Sequence, residues 1–111
     1  MTETDKILLL VKEAQALNGK MVSLPRILVL TALEDLGQDG SSYRELKAGL
    51  NLDDGVLFSN LKVLEEMRYI KSKDVTVENK KLTSYAITNE GKEALVLLRS
   101  WFKKWVMEWE I

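Results

Sequence analysis

The spacing of the apolar residues changes once along this chain, and that change limits the folds it can adopt. Leu57, Leu61 and Leu64 recur at intervals of four and three residues, which is the spacing of one helical face. Shortly afterwards, apolar and polar residues alternate on both sides of a polar tip, which is the pattern of two paired strands. We therefore predict a helix at about 53–67 that runs directly into a β-hairpin at about 70–87.

Polar residues that cap helices, together with glycines, delimit the other predicted elements. The first helix is predicted to end near Leu17, with Asn18-Gly19 in the left-handed conformation. The second begins after Ser23, with Pro25 in its first turn. A short third helix is capped by Ser41 or Ser42, and a last helix is capped by Thr88. The order α-α-α-α-β-β-α is typical of a winged helix-turn-helix, a mainly α fold with a small β-hairpin (α+β). The sequence predicts a single domain over 1–111, made of an N-terminal helix (1–22), a helix-turn-helix core (23–88) and a C-terminal dimerisation helix (89–111).

Length and composition agree with one globular domain. The chain has 111 residues, of which 46% are hydrophobic, and a single proline. No apolar run approaches the roughly 18–20 residues that cross a bilayer, and the longest, Ile7 to Val11, follows acids rather than a basic segment. We expect a cytoplasmic protein without a signal peptide or disulfides.

The residues that are missing exclude several kinds of chemistry. The chain contains no cysteine and no histidine, so thiolate and imidazole catalysis and the usual zinc sites are absent. A carboxylate site at Asp53-Asp54 stays open as an alternative, although acids at a helix start are explained by capping and by the helix dipole. We predict that the protein is not an enzyme, binds no metal and needs no cofactor.

Three segments carry a resemblance to a known family. They are SYREL at 42–46, LDDGVL with LKVLEE between 52 and 66, and YAITNEGK at 85–92, where the family usually has Leu-Thr-x-x-Gly. Over about two-thirds of the chain, their order resembles the winged-helix transcription regulators of the ArsR/MarR type. The metal-sensing branch of the ArsR group uses Cys and His ligands, which this chain lacks.

The resemblance implies sequence-specific binding to double-stranded DNA by a homodimer. The helix at 53–67 is then the recognition helix in the major groove, and the hairpin is a wing on the flanking backbone or minor groove. Asn60 is predicted to pair with adenine, and Ser59 with a base or a phosphate. The predicted DNA-binding residues are Ser42, Arg44, Lys47, Asp54, Gly55, Val56, Phe58, Ser59, Asn60, Lys62, Lys80 and Lys81.

The charge of the chain leaves a second function open. The net charge is −1, whereas DNA-binding surfaces are usually basic, and Arg44, Lys47 and Lys62 also fit an ordinary solvated face. The apolar Val56 and Phe58 on the recognition helix fit thymine methyl groups or a protein surface. The alternative is a winged-helix module for protein association without specific DNA binding.

The terminal helices predict self-association. Ile7 to Val11 is apolar on more than one helix face, and Trp101, Trp105 and Trp109 form a stripe that one small domain cannot easily bury. The predicted dimer-interface residues are Ile7, Leu8, Leu10, Val11, Leu98, Trp101, Phe102, Trp105 and Trp109. The alternative to the homodimer is a monomer. The sequence does not identify a small-molecule effector.

Overall fold

The computed structural model describes residues 3–109, with side chains from Asp5 onward. Within that range there are five α-helices and three strands, which confirms the predicted fold class. The elements are α1 (Glu3–Ala14), α2 (Leu24–Leu36), β1 (Ser41–Ser42), α3 (Tyr43–Leu50), α4 (Asp54–Glu66), β2 (Ile70–Val77), β3 (Lys80–Ile87) and α5 (Asn89–Trp109). No described helix is long and apolar enough to cross a membrane.

Short-range hydrogen bonds begin three of the helices where the sequence predicted. The Ser23 hydroxyl accepts from Arg26 N at the start of α2. Ser42 and Glu45 form a reciprocal capping box at the start of α3. The Thr88 hydroxyl accepts from Gly91 N at the start of α5. Because each bond joins residues only three positions apart, the local sequence was enough to predict these starts.

The end of the first helix was predicted wrongly. Helix α1 ends at Ala14, and Asn18 has φ −83 rather than the left-handed conformation. The Asn18 side chain accepts from Lys20 N and so caps a short 3-10 turn. Its amide also donates to the Tyr69 hydroxyl, 3.1 Å away and far along the chain. This long-range contact explains why Asn18 does not end a helix.

The junction between α4 and β2 is tight. Arg68 takes a positive φ of 64, which turns the chain from helix into strand without a glycine. The Tyr69 carbonyl accepts from Thr88 N, and the Thr88 hydroxyl donates to the Arg68 carbonyl at 2.7 Å. A Cβ at Gly91 would collide with the Tyr69 carbonyl, so this glycine lets α5 pack directly on the junction.

The hairpin is confirmed, and it belongs to a three-stranded antiparallel sheet of order β1-β3-β2. Glu78 and Asn79 form its two-residue turn, with φ of 51 and 65, as a type I′ turn requires. Lys80 and Lys81, predicted at the tip, are the first residues of β3. The short strand β1 was not predicted, because its pairing partners Tyr85 and Ser84 lie far along the chain.

One core holds these elements together. Leucines of α2, α3, α4 and α5 are buried against the sheet residues Ile70, Tyr85 and Ile87. Helix α4 contributes the predicted stripe of Leu57, Leu61 and Leu64. With that stripe buried, the opposite face of α4 is turned to solvent beside the hairpin.

Candidate nucleic-acid interface

The outermost face of α4 is open and carries small or flexible residues. Gly55, Ser59 and Lys62 are exposed there, about one helical turn apart. Apart from its chain neighbours and the backbone of α4 itself, no described residue lies within 4 Å of the position that a Cβ on Gly55 would take. The Ser59 hydroxyl donates to the Gly55 carbonyl at 2.8 Å, so its oxygen stays able to accept from a partner. This face lets another molecule approach the helix backbone closely.

A hollow of about 400 Å³ lies between α3, α4 and the hairpin. Four of the predicted DNA-binding residues meet there, one from each of β1, α3, α4 and β3: Ser42, Arg44, Phe58 and Lys81. Phe58 is 52% exposed, and Lys62 Nζ lies 5.3 Å from the centre of its ring. The hollow therefore combines an aromatic wall with cationic side chains, a combination that suits bases and phosphates.

The start of α4 carries a carboxylate that is already engaged. Asp54 Oδ2 lies 3.0 Å from Lys47 Nζ, and the Tyr43 hydroxyl lies 3.0 Å from Asp54 Oδ1. The hydrogen bonds from Lys47 and Tyr43 lower the pKa of Asp54. Desolvation, followed by the hydrogen bond to Asp54, raises the pKa of Tyr43. Lys47 thus neutralises Asp54, so only part of its positive charge is left to attract a phosphate group of a bound nucleic acid.

Asn60 is not placed as the sequence predicted. Its Oδ1 accepts from Arg26 Nε at 2.8 Å, and its Nδ2 donates to the Val56 carbonyl at 2.7 Å. Arg26 Nη1 in turn donates to the Lys20 carbonyl. Half-buried Asn60 therefore has both ends of its side-chain amide hydrogen-bonded within the chain, and its pairing with adenine stays a prediction. It ties α4 to α2, a role that sequence spacing did not reveal because Arg26 lies 34 positions away.

The charges of the two predicted DNA-contacting elements differ in sign. Residues 53–67 contain four acids and one lysine, a net charge of −3, whereas residues 70–87 contain four lysines and two acids, a net +2. Lys80 and Lys81 are adjacent in β3, so they point to opposite faces of the sheet. Lys81 lines the hollow, and exposed Lys80 lies opposite Val77 beside the turn.

The predicted dimer-interface residues fall into three groups. Leu10 and Leu98 are buried in the protomer's own interior, so they are not available to a partner. Trp101 and Phe102 are half-buried, and the Trp101 indole donates to the Leu10 carbonyl at 2.9 Å, which fixes α1 on α5. The remaining five are exposed: Ile7, Leu8, Val11, Trp105 and Trp109. Leu9, Val106 and Met107 are also exposed on the same two helices and were not predicted.

Among the described residues, no group of three or more acidic side chains is arranged to hold a metal ion. Asp54 of the Asp53-Asp54 pair instead makes the ion pair with Lys47.

A helix-turn-helix followed by a hairpin, with an open helix face beside that hairpin, defines a winged-helix protein. The chain belongs to the winged helix DNA-binding domain family, whose model matches residues 26–106. An uncharacterised protein of Methanocaldococcus jannaschii is 33% identical over 86 residues, which cover 78% of this chain and 84% of the relative.

Solved structures of similar fold include two that are described by their function or ligand. A point mutant of S. aureus MepR bound to an oligodeoxyribonucleotide has a TM-score of 0.68 at 13% identity, covering 94% of this chain and 72% of that one. A PadR-like transcription factor of Bacteroides fragilis has a TM-score of 0.63 at 15% identity, covering 73% of this chain and 82% of that one. At such low identities, the likeness establishes the fold alone.

Proposed function

We propose that the protein is a transcription regulator that binds specific double-stranded DNA sites as a homodimer. Helix α4 enters the major groove, and the wing formed by β2 and β3 contacts the flanking backbone or minor groove. The observation that carries the proposal is the hollow where Arg44, Phe58 and Lys81 meet beside the open face of α4. The matched family is a DNA-binding one, and MepR, a neighbour in fold, is described as bound to an oligodeoxyribonucleotide. The ArsR/MarR-like subtype is part of the proposal and rests on the segments quoted above.

We propose that the residues that contact the bases are those exposed on the outer face of α4. Phe58 and Val56 offer apolar surface to thymine methyl groups, while Ser59 and Lys62 offer polar contacts along the exposed face. Because α4 itself is acidic, Arg44, Lys80 and Lys81 supply the phosphate contacts that position the helix. Asp54 acts through Lys47, whose charge it orients, and Asn60 acts by holding α4 against α2.

The proposed homodimer rests on the apolar surface of the terminal helices. The exposed residues of α1 and the last turns of α5 lie on elements that pack against each other. Large exposed apolar patches on a protein usually mark an interface with a partner. A two-fold arrangement would place two recognition helices on half-sites about one helical turn apart, or a multiple of that.

Anisotropy titrations against DNA from upstream of the gene, over a salt series, test the proposal. Replacing Arg44 or Lys80 by Ala should weaken binding to cognate and random DNA alike, and lower the salt slope by about two per dimer, since two phosphate contacts are lost. Lys103→Ala, on the exposed face of α5, is the matched control and should leave the slope unchanged. If wild-type protein shows no sequence preference even at low salt, the proposal is wrong.

The exposed phenyl ring of Phe58 favours one second candidate, a winged-helix module for protein association. Aromatic residues are enriched at protein interfaces, and the net charge of −1 is small for a DNA-binding protein. This function predicts that Phe58→Ala abolishes binding to a protein partner, while no upstream DNA is preferred over random DNA.

A further inference from the structure

The two faces of the wing differ in chemistry. Alternation along the strands places Ile70, Tyr85 and Ile87 on the face that packs into the core together with α4. Lys71 and Lys73 point to the opposite face, where their pairing partners are Ala86 and Ser84. These two lysines therefore lie on the side of the sheet away from the buried stripe of α4, and the proposed DNA contacts do not use them.

A cavity of about 710 Å³ lies at the base of the wing on that outer face. Its walls come from β2, β3, the start of α5 and the segment before β1, and they include Lys71, Lys73, Ser84, Asn89 and Gln38. The volume is within the ~300–1,000 Å³ that is usual for small-molecule sites. Unlike most such sites, this cavity has walls that are largely polar, which favours a charged ligand over an apolar one.

The positive charge at this cavity is only partly balanced by the described residues. The ion pairs Lys47–Asp54, Arg99–Glu34 and Lys104–Glu13 lie elsewhere and do not involve Lys71 or Lys73. Lys92 also lines the cavity. The pKa of Glu34 is lowered mainly by its hydrogen bond with Arg99 and to a lesser extent by the charge of Lys92. Glu90 is the one acid among the lining residues, so the described walls carry a net charge of +2.

We propose that this cavity binds a small phosphorylated ligand with at least two negative charges. The ammonium groups of Lys71 and Lys73 would neutralise the phosphate, since lysine recognises phosphate as a point charge. The Ser84 hydroxyl and the side-chain amides of Gln38 and Asn89 supply further donors. The site uses none of the residues proposed to contact DNA, so it goes beyond the proposed function and does not depend on it.

Isothermal titration of the full chain with inorganic pyrophosphate at physiological salt tests the proposal. We expect one saturable site per chain with a dissociation constant below about 1 mM. The double variant K71Q/K73Q should bind at least about tenfold more weakly, because two charge-assisted contacts are lost. Glu90→Gln should strengthen binding, because it removes a like charge from the wall.

The matched control is K80Q/K81Q, which removes two lysines from the same hairpin at its tip. This variant should bind pyrophosphate as the wild type does. All the substituted residues are exposed, so folding should persist, and thermal melts check this. No saturable binding, or equal weakening in both double variants, would overturn the proposal.

Titration of the same variants with DNA separates this site from the DNA interface. K71Q/K73Q should keep the wild-type salt slope, whereas K80Q/K81Q should lower it. A lower slope for K71Q/K73Q would mean that these lysines contact DNA, which would overturn the small-ligand site. If wild-type protein ignores DNA but binds pyrophosphate through Lys71 and Lys73, the proposed function fails and the cavity site stands.

Discussion

The middle of the molecule and its two terminal helices are packed to very different degrees. Leu57, Leu61 and Leu64 in the recognition motif are at most 1% exposed, so α4 is fully covered on its apolar face. In contrast, Leu8 is 61% exposed and Trp109 is 66% exposed. The core includes Leu95 and Leu98 of α5, so the terminal helix helps to complete it, while α1 and the last turns of α5 keep exposed apolar residues.

The largest predicted effect compares one leucine from each region. Leu61→Ala should lower the free energy of unfolding by about 2–5 kcal/mol, because it empties a filled position in the core. Leu8→Ala removes the same atoms from an exposed position and should change the stability of the monomer by roughly 0.5 kcal/mol or less. Urea unfolding at low protein concentration measures both. Similar costs for the two variants would contradict the comparison.

The next prediction concerns self-association. Trp105 is 43% exposed in the protomer, so Trp105→Ala should leave the fold intact. If Trp105 anchors the dimer, its loss should weaken association by about 2 kcal/mol or more, which is roughly thirtyfold in the dissociation constant. Analytical ultracentrifugation gives the constant, and circular dichroism gives the folded fraction.

Trp101 provides the contrasting variant in the same stripe. Its indole holds α1 through the Leu10 carbonyl, so Trp101→Ala should destabilise the protomer itself. A Trp105→Ala protein that stays a dimer would show that the interface lies elsewhere.

On the proposed recognition helix, substitutions of Phe58 and Asn60 should have different effects: the first on DNA sequence preference, the second on protein stability. Phe58→Ala should lower affinity for a cognate site by about 1–3 kcal/mol and leave random-sequence binding nearly unchanged. Asn60→Ala should instead lower the melting temperature, because the Arg26 guanidinium and the Val56 carbonyl lose their partner. Anisotropy and thermal melts on both variants test this. An Asn60→Ala protein of normal stability that loses only sequence preference would restore Asn60 as a base-reading residue.

The smallest predicted effect concerns the ion pair that joins α2 to α5. Arg99 Nη1 lies 2.8 Å from Glu34 Oε1, and the hydrogen bond from Arg99 lowers the pKa of Glu34 below its ordinary 4.5. Because the folded pKa is depressed, the stabilisation is present above pH 4.5 and is lost as pH falls through the folded value. Glu34→Gln should therefore cost up to ~1 kcal/mol at pH 7, since the pair is partly exposed. In strongly acidic solution, the variant and the wild type should have the same free energy of unfolding. Denaturant unfolding over a pH series measures this.

The candidate site was only partly predictable. Arg44, Phe58 and Lys81 were each predicted from their position in an element, and the fold brings them around one hollow. The bond between Asn60 and Arg26 was not predicted, because a helical position fixes the face a residue occupies but not the partner it meets there. The charge in the outer cavity of the wing was also missed, since no pattern in the sequence singled out Lys71 and Lys73.

The sequence by itself determined the type and order of the five α-helices and of the hairpin. Helix starts at Ser23, Ser42 and Thr88 depend on bonds to residues three positions away, and the hairpin follows from alternation within one segment. The tertiary structure alone decided the pairing of β1 with β3, the bond from Arg26 to Asn60 and the burial of Leu10 and Leu98. These contacts join residues that are distant along the chain, and their geometry exists only once the helices have packed on the sheet.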